Sequence, residues 1–322
     1  FRYGPLWTQA SALMPHAPFD VALAHFGPHG VLGQALRDLG VLDAPLVTVF
    51  HGYDLSRVLD KRGPGYYERL LARGELMAPI SRVFAAKLVE LGCAPDRVRV
   101  HHMGVDTSRF TFRPRRLEPG TRIRFVTVCR MVEKKGLDFG LQAIRRLRES
   151  SQNFEWCIAG GGPLRAEIEA SIRCWGLEDH VKLEGNLDRQ RVAALLETAH
   201  VFLQPSVTAS DGDMEGIPVS LMEAMAVGLP VVSTVHSGIP ELVSDRESGY
   251  LVPERDVAAL TDRLLRISRE SARWGSMGEH GRATVLREFD VDRLNDELVR
   301  LLASAADEYA RKRTGGTEQI AS

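Results

Sequence analysis

The stretch "EGIPVSLMEAMAVGLPVVST", residues 215–234, passes from a Gly-Ile-Pro turn through an apolar helical run into a β-branched strand. Pro218 suits the first helical position, where its missing N–H costs nothing, and Gly228 suits the position just past the helix end. A turn, a short helix and a buried strand in that order are the parts of a parallel sheet covered by helices. The same stretch carries two carboxylates, Glu215 in the loop and Glu223 inside the helix. The free N–H groups from Gly216 to Val219, by way of Ile217, carry partial positive charge and form a ready site for a phosphate. A phosphate would repel Glu215 on contact, so Glu215 suits a neutral partner with hydroxyls, such as a sugar. Glu223, about two turns on, suits a second diol such as a ribose. The plain alternative is a pair of solvated carboxylates, and the pattern alone leaves Glu223 balanced between the two.

Working outward, short β-branched runs alternate with helix-period segments almost from end to end. In the first third, strands are expected over residues 19–26, 45–51, 76–81 and 97–103, with helices over 33–39 and 82–91 among them. Residues 112–122, "FRPRRLEPGTR", hold two prolines, a glycine and an arginine cluster, the composition of an exposed linker. A second set follows: strands over 123–130, 154–160, 181–185, 200–206, 230–234 and 249–253. Helices over 137–149, 164–175 and 189–198 join them, and three more finish the chain near 256–268, 271–288 and 291–309. The expected organisation is a first domain over 1–113, a linker over 114–121, a second domain over 122–290, a closing helix over 291–311 and a frayed tail over 312–322. The start, "FRYGPLWTQA", has no initiator Met and no basic-then-apolar leader, and reads as a beginning in mid-domain.

The balance of 41 Lys+Arg against 42 Asp+Glu leaves a formal charge of −1, so no global field attracts nucleic acid. No apolar run approaches the ~20 residues that span a bilayer. Cys93, Cys129, Cys157 and Cys174 are widely spaced without a C-x-x-C pair, as expected of buried thiols in a reducing cytoplasm.

Other candidate residues follow strands directly. In "VCRMVEKKG", Arg130 ends a strand and Lys135 stands just before Gly136, which brings both cations to the carboxyl end of the sheet, where α/β folds bind ligands. Arginine suits bidentate contact with a phosphate and lysine a point-charge contact, although each alone is more often a surface charge. "IAGGGPL", with Gly161 at its centre, is a strand-to-helix turn that allows close backbone approach to a ligand, but it is not a G-x-G-x-x-G fingerprint. In the first domain, "HFGPHG" and "FHGYD" place His25, Gly27, His29, His51 and Asp54 on a similar rim, with residue types fit for sugar hydroxyls or proton handling. The H-x-x-x-H spacing of His25 and His29 is not enough by itself to support a metal site. His101 and His102 end another expected strand, where a structural role is the simpler reading.

The ordered set "CRMVEKKGLD", "IAGGGPL", "PSVTASDGDMEGIPVSLMEAMAVGLPVVST", "SGIPELV" and "SGYLVP" resembles the donor domain of the retaining GT-B glycosyltransferases with an E-x7-E core, family 4 or group 1. Within that family the look is of bacterial exopolysaccharide enzymes of the colanic acid and amylovoran type. "HFG", "HGYD" and "GVDTSRF" look like the same family, and the match covers roughly residues 19 to 290.

The resemblance implies an α/β GT-B fold, two Rossmann-like parallel-sheet domains facing a cleft. It implies a hexose transferred with retention from a nucleotide diphosphate sugar to a saccharide or lipid-linked oligosaccharide. On the donor side it assigns Arg130 and Lys135 to the diphosphate, Glu223 to the ribose and Glu215 to the transferred sugar. Gly161, Gly185, Asn186 and the backbone from Gly216 through Ile217 and Pro218 to Val219 complete the donor set. His51 is implied near the reacting carbon, with His25, Gly27 and Asp54 as acceptor-side candidates. No cofactor or metal is expected, because Arg, Lys and the helix start supply the electrostatic stabilisation. The expected setting is cytoplasmic, at the inner face of the cell membrane. Arg57, Lys61, Arg62, Tyr66 and Tyr67 are the candidates for touching lipid, against the plainer reading of a solvated loop.

Two departures stand out. Pro218 replaces a glycine common in the family and removes a backbone donor from the phosphate cradle. The first domain lacks the family's initial strands and Gly-rich loop, so the resemblance leads to the expectation of an N-terminally truncated chain. Two other functional readings stay open: a nucleotide-sugar-binding module without catalysis, and an epimerase-like enzyme, which predicts a tight G-x-G-x-x-G turn or a general-base pair.

Overall fold

The β-branched runs form two separate parallel sheets, each with its own helices. The computed structural model describes residues 19–150 and 153–318, with side chains to residue 314. The stretch "FRYGPLWTQA" therefore lies outside the described residues. The chain divides into two units, one of the described residues up to His102 together with those from Arg293 on, the other Met103–Asp292.

In the first unit β1 (Ala22–His25), β2 (Leu46–Phe50) and β3 (Leu76–Pro79) pair in the order β1-β2-β3. The central β2 is buried at every position, as a strand covered on both faces must be. Helix α1 (Gly27–Asp38) begins earlier than the expected 33–39, because Phe26 adopts φ 70° and turns the chain straight from β1 into Pro28. Helices α2 (Arg57–Arg62) and α3 (Glu68–Arg73) precede β3, and α4 (Arg82–Glu90) follows it, capped by Ser81, whose Oγ accepts from the Phe84 N–H. Residues 97–103, expected as a fourth strand, remain an extended edge. Arg99 and His101 donate to the carbonyls of Met77 and Pro79, but only Met77 and Val98 form a bridge, after a 3₁₀ turn at Pro95–Arg97.

The second unit holds β4 (Ile123–Val128), α5 (Leu137–Arg148), β5 (Phe154–Ala159), α6 (Arg165–Cys174), β6 (Val181–Gly185), α7 (Arg189–Thr198) and β7 (Val201–Gln204). Then come α8 (Val219–Ala226), β8 (Val231–Thr234), α9 (Ile239–Leu242), β9 (Gly249–Val252), α10 (Val257–Arg269) and α11 (Trp274–Glu288). The strand order is β6-β5-β4-β7-β8-β9, all parallel. The chain moves outward from β4 to one edge, then returns to β7 on the other side, so the order reverses between β4 and β7. Neighbouring side chains of β4 point to opposite faces: Phe125 joins a core with Trp156, Leu141 and Ile144, and Val126 one with Phe202, Leu221 and Met225. Both faces of the inner strands are thus apolar, which is why these read as continuous runs, whereas the edge strand β6 alternates.

Three expectations are corrected. The boundary falls between His102 and Met103, and residues 112–122 are no free linker. Arg113 donates its backbone N–H to the Val227 carbonyl, and the buried Arg115 guanidinium donates to the carbonyls of Glu197 and Val227. Burial pushes the Arg115 pKa down to about 10. The last helix, α12 (Val291–Glu318), continues well past Tyr309; Glu308–Lys312 and Arg313–Asp43 ion pairs accompany its last turns, and only residues 319–322 of the expected tail lie outside the described residues. Within the first unit its Leu301, Leu302 and Ala305 pack with Val47 and Leu76. Among the cysteines, Cys93 and Cys157 are buried, but Cys174 is exposed at the end of α6.

Candidate functional site

The loops that leave β4 and β7, on either side of the strand reversal, meet at the carboxyl end of the second sheet, where an open α/β fold forms its ligand crevice. Gly136, at φ 63°, lets them touch: a Cβ there would lie 1.8 Å from the Pro205 carbonyl oxygen. Polar contacts then lock the two loops. Val207 donates to the Lys134 carbonyl at 2.9 Å, Ser210 donates its N–H and hydroxyl to Glu133 at 2.8 and 2.7 Å, and Lys134 Nζ reaches Asp213 at 3.1 Å.

Lys135 and Glu215 come together in this frame, with Nζ and Oε1 2.8 Å apart and side chains 13% and 8% exposed. The sequence assigns these residues to adjoining groups of a ligand; the structure pairs them directly. A lysine ammonium has three donors, so the pair leaves capacity for a further acceptor. Arg130 is exposed at the end of β4 and lines a 380 Å³ pocket with Cys129, Gly160, Gly161 and Asn186. Burial pushes the Cys129 thiol up to about 12, so it stays protonated.

The glycine run serves the protein first. A Cβ on Gly160, at φ 126°, would meet the Cys129 carbonyl oxygen at 1.9 Å, and the Gly161 carbonyl accepts from Met131. Gly185 accepts from the Gly160 N–H and stands outside the pocket lining, whereas Asn186 is in it.

Pro218 is the N-cap of α8, one residue before the position the sequence suggests, and Gly228 sits just past its end with φ 90°. The N–H groups of Gly216, Val219 and Ser220 find no acceptor among the described residues. Ile217 is buried in the core beneath. Glu223, half-buried, lines a second pocket of 530 Å³ with Val105, Phe110, Arg189 and Val219. The two pockets share Val128, Leu187 and Val192 and are therefore adjacent. Burial raises the Glu223 carboxyl pKa, and Arg189 opposes the rise. The second pocket, with Val219 at the α8 start, suits a flat apolar ring beside a diol; the first, with Arg130, suits an anion.

In the first unit the rim is made differently. His25 Nδ1 and His51 Nε2 lie 3.0 Å apart, and the Phe26 ring packs on His51 at 4.4 Å. Burial, with His25 beside it, pushes the His51 pKa down to about 4. Asp54 is fully buried and accepts from the backbone N–H groups of Gly27, His51 and Gly52 at 2.8–3.1 Å. It is a clamp for this rim, and with the Gly27 N–H occupied neither residue is open to a ligand as the sequence suggested. His29 turns its Nδ1 to the His25 carbonyl at 2.6 Å. His101 is buried against the β3 edge. Of the residues suggested for lipid contact, Arg57, Lys61 and Arg62 are exposed, but Tyr67 is fully buried and donates its hydroxyl to the Asp54 carbonyl. No helix among the described residues is long and apolar enough to cross a membrane.

Sequence reasoning missed His236 and Glu254. His236 Nε2 accepts the Glu215 N–H at 3.0 Å, and its Nδ1 lies 2.6 Å from Glu254 Oε1. Burial works to raise the Glu254 pKa, but the Thr208 N–H and His236 hold it below the usual glutamate range. A lone His after a strand, in "STVHSG", is the only trace of this arrangement in the sequence.

Comparison with known proteins bears on this arrangement. The family model described as glycosyl transferases group 1 matches residues 108–284, and that described as glycosyltransferase family 4 matches residues 2–109. A provisionally named colanic acid biosynthesis glycosyltransferase of Salmonella typhimurium is 46% identical over 286 residues, 88% of this chain and 70% of the relative. The amylovoran biosynthesis glycosyltransferase of Erwinia amylovora is 42% identical over 319 residues, 95% of this chain and 77% of the relative. The crystal structure of Anabaena HepE in complex with UDP and glucose superposes with a TM-score of 0.77 at 17% identity, covering 94% of this chain and 83% of that one. At that identity the likeness speaks for the fold, which is of the GT-B class.

Proposed function

The chain belongs to the group 1 glycosyltransferases, and on that premise we propose that it transfers a hexose from a nucleotide diphosphate sugar, with retention, to a saccharide or lipid-linked oligosaccharide of exopolysaccharide synthesis. The observation that carries this reading is the buried Lys135–Glu215 pair, adjoining the open N–H groups of α8 at the β4/β7 reversal, with Arg130 and Glu223 each lining a pocket of the same unit. The names of the two relatives support the exopolysaccharide acceptor.

In this reading the base occupies the apolar pocket, the ribose diol meets Glu223, and the diphosphate lies against Arg130, Lys135 and the start of α8. The bond from C1 of the sugar to the β-phosphate oxygen breaks and that from C1 to the acceptor oxygen forms on the same face. The acceptor proton passes to the departing phosphate oxygen. Negative charge grows on the diphosphate as the bond breaks, so cations placed there lower the barrier more than they tighten ground-state binding. Glu215 accepts from hydroxyls of the sugar, and Lys135 shields it from the phosphate. His51, held neutral by burial, is suited to hydrogen-bond a sugar hydroxyl without carrying charge. No metal is called for, and the acceptor is reached from the cytoplasmic face of the membrane.

The test is transfer with UDP- and GDP-hexoses, with the anomeric configuration of the product read by NMR. Glu215→Gln should lower kcat by about 10²–10³-fold, the usual size for one lost electrostatic contact in an active site. Full turnover by this variant, or an inverted product, would sink the reading.

A further inference from the structure

His236 stands in the loop after β8, its side chain wholly shielded from solvent. Its Nε2 accepts from the Glu215 N–H, so the ring proton belongs on Nδ1 and is donated to Glu254 Oε1. Glu254, just after β9, is itself fixed: Oε2 accepts the Thr208 N–H at 2.7 Å, and Arg255 bridges Oε2 and the Thr208 carbonyl. A continuous chain thus runs across the carboxyl ends of β9, β8 and β7 and ends on the backbone of Glu215. Ser237, next to His236, holds φ 47°, a conformation that a serine keeps only where its neighbours over-determine it.

Resting on the donor reading above, we propose that His236 and Glu254 are positioning residues that hold the Glu215 backbone, and so its carboxylate, in register with Lys135 for the transferred sugar. The grip is on the main chain, so it sets where the carboxylate points without touching the substrate. Such a residue governs turnover more than donor affinity, because base, ribose and diphosphate are held elsewhere. A displacement of about 1 Å at a reacting group costs about 10²-fold in rate.

Two substitutions separate positioning from mere packing. His236→Gln keeps an oxygen that can take the Glu215 N–H, whereas His236→Asn keeps the reach to Glu254 and loses that acceptor. The expectation is that H236N lowers kcat about 100-fold with donor KM within about threefold, and that H236Q recovers about tenfold of the loss. Hydrogen exchange of backbone amides in residues 207–216, measured by mass spectrometry, should be about tenfold faster in H236N and near wild type in H236Q. Equal kcat and equal exchange in the two variants, or a loss confined to KM, overturns the proposal. The exchange readout needs no turnover: if the wild-type protein transfers no sugar the donor reading fails, and the exchange difference still decides whether His236 holds Glu215. Should H236N not fold, Glu254→Gln must speed exchange over the same segment; unchanged exchange there overturns the proposal equally.

Discussion

Asp54 and Glu215 both follow the carboxyl end of a strand, and both are buried, at 0% and 7% exposed. Their hydrogen bonds differ. Asp54 spends its oxygens on three backbone N–H groups of its own rim, whereas Glu215 has its own N–H held by His236 and, among the described residues, its carboxylate pairs with Lys135. The first carboxylate is closed and organises a loop; the second is the one the proposed function assigns to the transferred sugar. Topology explains part of this: the second sheet reverses its strand order at β4/β7, where such a fold opens a crevice, while among the described residues the order β1-β2-β3 contains no reversal.

The contrast breaks most visibly at Asp54. Asp54→Ala strands three buried donors and should cost about 3 kcal/mol or more in urea unfolding, at 1–3 kcal/mol for each group left unpaired. A loss below about 1 kcal/mol would mean that the clamp is ornamental.

His51 gives the next effect. Its pKa lies near 4 in the folded protein against 6.5 ordinarily, so the unfolded chain binds the proton first as pH falls. Stability from this group is present above pH 6.5 and is lost as pH falls towards 4. After a discount for its partial exposure, the loss is about 2 kcal/mol. The difference in unfolding free energy between pH 7 and 4.5 should shrink by roughly that amount in His51→Gln; an identical slope contradicts it.

The smallest effect belongs to Glu223. Its exchange for Gln should raise donor KM about tenfold, or ~1.4 kcal/mol, with kcat nearly unchanged, because a ribose contact binds ground and transition states alike. A fall in kcat instead would place Glu223 nearer the chemistry than the pocket suggests.

Much of this could be read in the sequence. The β-branched runs of the second unit gave strands within a residue or two of those observed, since the inner strands β5, β7 and β8 are buried at every position. "RVRVHH" misled because its branched residues look like a strand, while its backbone bonds to β3 close only one bridge. "FRPRRL" misled because burial of Arg115 depends on the carbonyls of Glu197 and Val227, far along the chain. Arg130 and Lys135 after β4, and Glu215 and Glu223 around α8, stand where strand ends and helix signals put them. The Lys135–Glu215 pair was not legible, because strand order alone brings residues so far apart in sequence into contact. His236 was missed for the same reason: its partners are set by β7, β8 and β9 lying side by side.

The most direct test is calorimetry of UDP and GDP, and of uridine and guanosine, on the wild-type protein and on Arg130→Ala/Lys135→Ala. If the β4/β7 crevice holds the diphosphate, the double variant should lose about 100-fold in affinity for whichever diphosphate binds, at 1.5–3 kcal/mol for each charged hydrogen bond, while the nucleoside is held as before. Diphosphate binding that survives the double substitution, or nucleoside binding that falls with it, would contradict the account.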